Sequence, residues 1–270
     1  MKPAKVWING RIMPADKATV PALDPAVQIG SGLFEVMRAY GGAPFLLDRH
    51  LARLRRSARH FGFRVPCSDA AFTNGVRALL RANRLKSAYV RLVLTGGGTF
   101  MVRAEPLPRV PAAWYRAGAR VDFARWRRDP RAPLYGHKTL NYLENVLTRE
   151  QGFTKGLADL LFLGLDGRVL EGCVTNVFLV KDGKLHTPAL EGILPGVTRG
   201  EVIRISKSLK IPVEERRVLP RDLERADDVF LTNALIEILP VARVGRRRIG
   251  WPGPITKTLM AGYRRIFTSR

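Results

Sequence analysis

The chain has little cysteine, few acidic residues and no long apolar run. Its 270 residues include only two cysteines, Cys67 and Cys173, which fall in different halves. This spacing excludes a disulfide framework and the closely spaced ligand motifs of zinc sites, and it is typical of the reducing cytoplasm, where we expect the protein. Because no stretch approaches the roughly 18 apolar residues of a membrane span, and the first residues lack an apolar targeting core, we expect no membrane association.

Acidic residues are outnumbered two to one. Lys and Arg total 46 against 23 Asp and Glu, so the formal net charge is +23. Such a charge makes a nucleic-acid-binding protein the non-enzymatic alternative, because phosphate neutralisation would supply the affinity. The basic residues are spread in short groups, without zinc-ligand spacing, an RNA-recognition signature or a basic helix with interleaved aromatics. We therefore expect no specific nucleic-acid partner, and a small anionic ligand remains the simpler explanation.

The first half of the chain reads as α+β. The turn at Asn9-Gly10 and the turn at Gly41-Gly42 each join two strand-like runs, which predicts two β-hairpins. Apolar residues at helical spacing predict helices over 48–61 and 68–83, and a further strand follows over 87–95. The length favours two domains.

The second half predicts an antiparallel sheet or barrel with flanking helices. Short strand-like runs are joined by Asp-Gly turns at 166–167 and 182–183. Prolines interrupt the stretch before it, at 106, 108, 111, 130 and 133. We therefore predict a small α/β domain over 1–118, an interdomain linker over 119–128 and a larger domain over 129–270.

Lys138 lies where an extended segment meets an apolar pattern with the period of a helix. The pattern comprises Leu140, Leu143, Val146, Leu147 and Phe153. It predicts a helix with one buried face and places Lys138 at the start of that helix. The helix dipole and partial burial would lower the pKa of the lysine and free its amine as a nucleophile. A solvated surface lysine is the alternative.

Three other segments carry chemistry. Glu171 is placed at a strand end, directly before glycine. Residues 192–199 form a glycine-bounded loop that leads into a helix, and a helix N-terminus is a natural anion site. Arg53 follows His50 on the first long helix.

Together, and in this order, these segments resemble the fold-type IV pyridoxal-phosphate enzymes, which include branched-chain and D-amino-acid aminotransferases, amine transaminases and 4-amino-4-deoxychorismate lyases. The resemblance extends from residues 8–10 to residues 239–241. It implies pyridoxal 5′-phosphate as cofactor and small-molecule amino acids or 2-oxo acids as substrates. It also implies a homodimer whose larger domain has an antiparallel barrel-like core.

The resemblance implies roles for the residues around the cofactor ring. Lys138 would form the Schiff base and move the substrate Cα proton. Glu171 would face the pyridine nitrogen, and Tyr142 would hydrogen-bond the phenolic oxygen unless it only packs in the core. Asn176 would either orient Glu171 or satisfy a turn. For the phosphate the resemblance implies Arg53, the main chain of Leu194 and Val197, the Thr198 hydroxyl, and Thr232.

The substrate side rests on fewer residues. Tyr89 and Arg91 resemble the Tyr-x-Arg that helps to hold the substrate carboxylate in branched-chain aminotransferases, although Arg91 also suits a purely structural place in a strand. Phe34 is a candidate pocket wall or core residue. Asn233 and Ala234 lie in a segment expected to run past the cofactor and offer main-chain N–H groups.

Signals for the reaction conflict. Residues 230–235 and 138–143 resemble the lyases, whereas Val36 after Phe34-Glu35 resembles D-amino-acid aminotransferases. We favour an aminotransferase that moves an amino group between an amino acid or amine and a 2-oxo acid. A lyase that releases pyruvate and 4-aminobenzoate is the alternative.

Overall fold

The computed structural model describes residues 4–250 and 252–268, which divide into two compact units. Within the described residues, unit 1 runs to Arg109 and also includes His137–Asn141, while unit 2 comprises Val110–Gly136 and the chain from Tyr142 onward. In the part of the chain that is described, no helix is long and apolar enough to cross a membrane.

The expected linker over 119–128 is a strand. Residues Ala119–Arg128 lie inside the sheet of unit 2 and pair with neighbours on both sides. The prolines that suggested a linker precede or follow this strand and do not interrupt it. The change between units therefore comes earlier than expected, near Arg109.

Unit 1 is a six-stranded antiparallel sheet covered by helices. Its elements are β1 (Lys5–Ile8), β2 (Arg11–Pro14), α1 (Pro25–Ile29), β3 (Gly32–Tyr40), β4 (Ala43–Pro44), α2 (Leu47–Phe61), α3 (Asp69–Ala82), β5 (Ala88–Thr95) and β6 (Phe100–Pro106). The strand order is β2-β1-β6-β5-β3-β4. Both predicted hairpins are present, and the Ser68 hydroxyl accepts the Ala71 N–H at the start of α3.

The core of unit 1 lies between the sheet and helices α2 and α3. Leu51, Leu54 and Ala58 of α2 are buried at the predicted helical spacing. Strand β5 alternates: Ala88, Val90, Leu92 and Leu94 enter this core. The residues between them are half-buried on the opposite face of the sheet.

The segment around Lys138 is extended, not helical. The Phe34 N–H donates to the Lys138 carbonyl and the Leu140 N–H donates to the Gly32 carbonyl, each at 2.9 Å. An isolated antiparallel bridge joins Leu33 and Thr139. The predicted position of Lys138 at a helix start is therefore wrong, because the backbone here pairs with β3 and the helix begins only at Leu143.

The apolar stripe of that helix, α5 (Leu143–Phe153), is not buried within the chain. Leu143 is 68%, Val146 43%, Leu147 46% and Phe153 55% exposed. Thr148 and Gly152 are its buried residues. The predicted amphipathic helix exists, but the prediction that its apolar face packs into the chain's own core is wrong.

Unit 2 contains a nine-stranded mixed sheet and the remaining helices. Its elements are α4 (Ala112–Ala117), β7 (Ala119–Arg128), α5, β8 (Asp159–Gly164), β9 (Val169–Gly172), β10 (Asn176–Lys181), β11 (Lys184–Pro188), α6 (Val197–Ser208), β12 (Val213–Arg216), α7 (Pro220–Glu224), β13 (Asp228–Asn233), β14 (Glu237–Val244), β15 (Arg247–Arg248) and α8 (Pro254–Thr268). The order is β12-β11-β10-β13-β14-β7-β8-β9, with β15 on β14. Pairings β11/β12, β14/β7 and β7/β8 are parallel, and the others are antiparallel as expected.

Gly75 provides a test of packing between α3 and the sheet. A Cβ at this position would lie 2.5 Å from Trp7 Nε1, and the Trp7 ring is buried against Phe72 and Phe100. Alanine favours helix by about 1 kcal/mol, whereas overpacking costs about 1–3 kcal/mol. We expect Gly75→Ala to lower the free energy of unfolding, measured by urea titration.

The matched control is Gly200 in α6, where an added Cβ would meet nothing within 4 Å. Gly200→Ala should leave stability unchanged or raise it by up to about 1 kcal/mol. A Gly75→Ala variant as stable as Gly200→Ala would contradict this account of the α3 packing.

Candidate active site

Lys138 lies against an aromatic ring that it shares with an arginine. Lys138 Nζ is 4.4 Å from the centroid of the Phe34 ring, and the Arg91 guanidinium carbon is 4.0 Å from the same centroid. Phe34 is only 3% exposed. Two cations that contact one buried ring are held by attraction to its π face. The structure therefore brings Lys138 together with two of the predicted substrate residues, Phe34 and Arg91.

Tyr89, Arg91 and Val93 occupy the face of β5 that points away from the core of unit 1. Arg91 is paired with Val36 of β3, and Phe34 is paired with Val93. The Tyr89 ring lies 5.6 Å from the guanidinium carbon of Arg103. This face combines apolar side chains with cations, as a site for an amino acid with an apolar side chain requires.

Arg53 is buried and forms a bidentate pair with Glu35. Arg53 Nε donates to Glu35 Oε1 at 2.8 Å, and its Nη2 donates to Oε2 at 2.6 Å. His50 Nδ1 is 2.7 Å from the same Oε2. Burial alone would raise the pKa of Glu35, but the charge and hydrogen bonds of Arg53, aided by His50, lower it to about 2.

The sequence prediction gave Glu35 no role. Glu35 could have been recognised as unusual, because it is an acidic residue on the face of a strand where the neighbouring positions, Leu33 and Met37, belong to the apolar core. A buried carboxylate needs a partner, and Arg53 on α2 is that partner. Arg53 is 6% exposed, so it is a buried residue of α2 and not a solvated surface arginine.

Glu171 is tied to the loop that precedes α6. Its Oε2 accepts the Leu194 N–H at 3.0 Å and the Asn176 side-chain amide at 3.2 Å. The same amide nitrogen donates to the Leu194 carbonyl at 3.0 Å. Asn176 therefore both orients the carboxylate and holds the loop, which joins the two roles that the sequence left open.

Arg128 lies beside Glu171 and was not among the residues predicted from the sequence. Its Nη1 is 3.8 Å from Glu171 Oε1, and its Nη2 is 2.7 Å from Glu144 Oε2. The guanidinium carbon is 3.3 Å from the centroid of the Phe162 ring. Arg128 is 2% exposed. The sequence prediction assigned residues 119–128 to a linker, so it did not indicate that Arg128 is buried at the end of a strand.

The start of α6 has the features of an anion site. Gly196 is the N-cap, with no side-chain cap for the first N–H groups of the helix. A Cβ at Gly196 would collide with Asn176 Oδ1, so the close approach of loop and strand requires glycine. Thr198 is 3% exposed in the first turn of α6, after Val197.

The side-chain hydroxyl of Thr232 is a further hydrogen-bonding group in unit 2. It is paired with Asn176 across β10 and β13 and is 1% exposed. Its hydroxyl oxygen is buried without a hydrogen-bond partner among the described residues. A buried hydroxyl without a partner is costly unless a ligand supplies one. With the uncapped N–H groups of α6, this residue fits a phosphate group.

Tyr142 and Asn233 hydrogen-bond the turn between β9 and β10. The Tyr142 hydroxyl donates to the Cys173 carbonyl at 2.9 Å. Burial, then the charge of Glu171, raise the pKa of Tyr142 above its ordinary value. The Asn233 side-chain oxygen accepts the N–H groups of Leu235 and Ile236, each at 2.8 Å, which fixes the loop that contains half-buried Ala234.

Unit 2 thus offers a fixed carboxylate, an anion-binding helix N-terminus and an unpartnered buried hydroxyl, which together suit a phosphorylated pyridinium ring. Unit 1 offers a lysine amine and an arginine on one aromatic ring. An amine nucleophile, a carboxylate for a ring nitrogen and a phosphate cradle are the groups that pyridoxal phosphate requires.

Comparisons with known proteins agree with a pyridoxal-phosphate site in this chain. A model of the family described as amino-transferase class IV matches residues 32–244. The solved branched-chain amino acid aminotransferase of Escherichia coli is similar with a TM-score of 0.92 and 30% identity, over 99% of this chain and 96% of that one. The enzyme of Thermoproteus uzoniensis solved with norvaline has a TM-score of 0.89 and 31% identity, covering 98% and 95%.

A curated relative, the D-alanine aminotransferase of Bacillus licheniformis, is 31% identical over 273 residues, 94% of each chain. These similarities confirm the predicted family, the fold type and the pyridoxal-phosphate cofactor. The chain therefore belongs to the class IV aminotransferases, and it is a pyridoxal-phosphate-dependent enzyme that transfers amino groups.

Proposed function

We propose that this aminotransferase acts on branched-chain amino acids and passes their amino group to a 2-oxo acid. The observation that carries the proposed cofactor site is Asn176, which ties Glu171 and the loop before α6 into one rigid group. The branched-chain preference is supported by the similar solved enzymes and by Val36 and Val93, which leave the substrate face of unit 1 apolar beside Arg91.

The proposed roles follow the chemistry of each group. When bound, pyridoxal phosphate withdraws electrons from the bond between the substrate Cα and its proton. The Lys138 amine holds the cofactor covalently and then takes and returns that proton. Glu171 faces the ring nitrogen, and Tyr142 lies beside the phenolic oxygen. The phosphate is held by Arg53, the main chain of Leu194 and Val197, and the hydroxyls of Thr198 and Thr232.

On the substrate side, Arg91 and Tyr89 bind the carboxylate, since both lie on the same face of β5. Phe34 packs against the substrate and fixes the directions of Arg91 and Lys138. The main chain around Asn233 and Ala234 supplies N–H groups. This set holds an amino acid by its carboxylate and leaves the apolar side chain to Val36 and Val93.

The covalent role of Lys138 is tested by reduction with borohydride and mapping of the labelled peptide. We expect the pyridoxyl label on Lys138 in the wild-type protein and no label in Lys138→Ala. Transfer activity should fall by about a thousandfold in that variant, because proton transfer by a positioned base is lost. Lys155→Ala, at an exposed lysine in unit 2, is the control and should retain both label and activity. Label at another lysine in the wild type refutes the assignment.

Amino-group transfer and the lyase reaction are distinguished by their products. Incubation with L-leucine, L-valine, L-isoleucine or D-alanine and 2-oxoglutarate should yield glutamate with the three L-amino acids and little with D-alanine. The lyase alternative shares proton removal by Lys138 but releases pyruvate and 4-aminobenzoate from aminodeoxychorismate. Release of 4-aminobenzoate without formation of glutamate would overturn the proposed transfer.

We also propose that the enzyme is a homodimer. The exposed apolar stripe on α5, formed by Leu143, Val146, Leu147 and Phe153, supports a protein interface, because large apolar patches are rarely left in water. Leu147→Glu should weaken association by about tenfold or more in sedimentation velocity. Leu165→Glu, at a leucine 62% exposed outside the stripe, should leave it unchanged. A wild-type monomer at high concentration would contradict the proposal.

A further inference from the structure

The turn between β9 and β10, residues 172–175, is organised around the carboxylate of Asp159. Oδ1 accepts the N–H groups of Leu160 and Cys173, at 2.9 and 3.0 Å. Oδ2 accepts the Val174 N–H at 3.2 Å and the Thr175 hydroxyl at 2.8 Å. Three of these four donors belong to the turn. The N–H groups of Cys173 and Val174 therefore point to a carboxylate on β8.

The carbonyl groups of the same two residues, Cys173 and Val174, accept hydrogen bonds from other side chains. The Cys173 carbonyl accepts the Tyr142 hydroxyl at 2.9 Å and the Asn145 side-chain amide at 2.6 Å. The Val174 carbonyl accepts the Asn233 side-chain amide at 3.1 Å. One carboxylate thus fixes a turn that in turn holds three polar side chains. Glu171 immediately precedes the turn and Asn176 immediately follows it.

Asp159 is 1% exposed, and a buried carboxylate is costly without donors. Burial raises the pKa of Asp159, and the hydrogen bonds, beginning with that from Thr175, act in the opposite direction. The carboxylate and the turn therefore depend on each other. A fully satisfied buried hydrogen-bond network of this kind restricts the positions of the atoms in the turn.

We propose that Asp159 is a positioning residue that sets, through the turn, where the Tyr142 hydroxyl and the Glu171 carboxylate are held against the cofactor ring. The inference rests on the ring-facing roles proposed above for Tyr142 and Glu171. It assigns to Asp159 no contact with cofactor or substrate.

Asp159→Asn changes the hydrogen bonds with almost no change in shape. In its better orientation the new amide keeps the acceptor for Leu160 and Cys173, and the Thr175 hydroxyl rotates to accept. The Val174 N–H then faces an N–H₂ group and loses its acceptor. Because Val174 directly follows Cys173, whose carbonyl accepts the Tyr142 hydroxyl, the displacement reaches that hydroxyl as well as the loop of Asn233.

The matched control is Asp228 of unit 2, a carboxylate 3% exposed that accepts the Gly253 N–H and the Thr256 hydroxyl. None of these residues belongs to the turn. Four variants are compared with the wild type: Asp159→Asn, Thr175→Val, Asp228→Asn and Thr256→Val. Three quantities are measured: the melting temperature without cofactor, the pyridoxal-phosphate dissociation constant from protein fluorescence, and the pH midpoint of the visible absorbance of the bound cofactor.

We expect Asp159→Asn to bind pyridoxal phosphate about tenfold more weakly and to shift the pH midpoint by about half a unit or more. Thr175→Val should shift the midpoint in the same direction by less. Both controls should lower the melting temperature yet leave the dissociation constant and the midpoint at wild-type values.

A dissociation constant and midpoint that are the same in Asp159→Asn and Asp228→Asn would refute the positioning role. Should Asp159→Asn fail to fold, Thr175→Val decides: a wild-type midpoint in that variant refutes the proposal, and a shifted one supports it. Failure of the proposed cofactor site is distinguishable, because the borohydride label in the wild-type protein would then fall on a lysine other than Lys138.

Discussion

The backbone pairing between β3 and residues 138–140 is the constraint on which the chemistry of unit 1 depends. Two main-chain hydrogen bonds, at the Lys138 carbonyl and the Leu140 N–H, flank Thr139 and fix the extended segment to β3 directly after the Lys138 Cα. The same strand carries Phe34, which contacts the Lys138 amine, and Glu35, which pairs with Arg53 beneath the sheet. A lysine placed on a paired strand is more rigidly held than one on a free loop, and a reactive amine benefits from such placement.

Sequence patterns located most of the helices and strands and suggested the reactive residues, but they did not show that the segment around Lys138 is extended. The helical spacing from Leu140 to Phe153 is real, yet the helix starts at Leu143, because long-range pairing with β3 outweighs local periodicity at 138–140. Long-range pairing also decides the place of Arg128. The prolines around residues 119–128 suggested a linker, whereas the segment pairs with β14 and β8, and Arg128 at its end is buried.

The large net charge says little about the interior of the protein. Arg53 and Arg128 are both buried, and each has a carboxylate partner within 2.7 Å, so neither contributes an uncompensated charge to its surroundings. Each of these pairs counts as zero in the formal net charge of +23, so the excess that suggested nucleic-acid binding lies on other Lys and Arg residues. The partners of the two buried arginines, Glu35 and Glu144, are distant in sequence, and only the fold reveals the pairing.

The β9–β10 turn shows a difference between two kinds of site residue. Residues proposed to act on the cofactor can be suggested from the sequence, whereas residues that hold them in place cannot. Glu171 and Tyr142 were identifiable because their chemistry demands particular side chains. Asp159 lies 12 or more residues from both in sequence, and apart from the Thr175 hydroxyl its donors are main-chain N–H groups, which nearly any residue supplies. Such a carboxylate leaves little pattern of side-chain types around it, so its proposed place in the site follows from geometry.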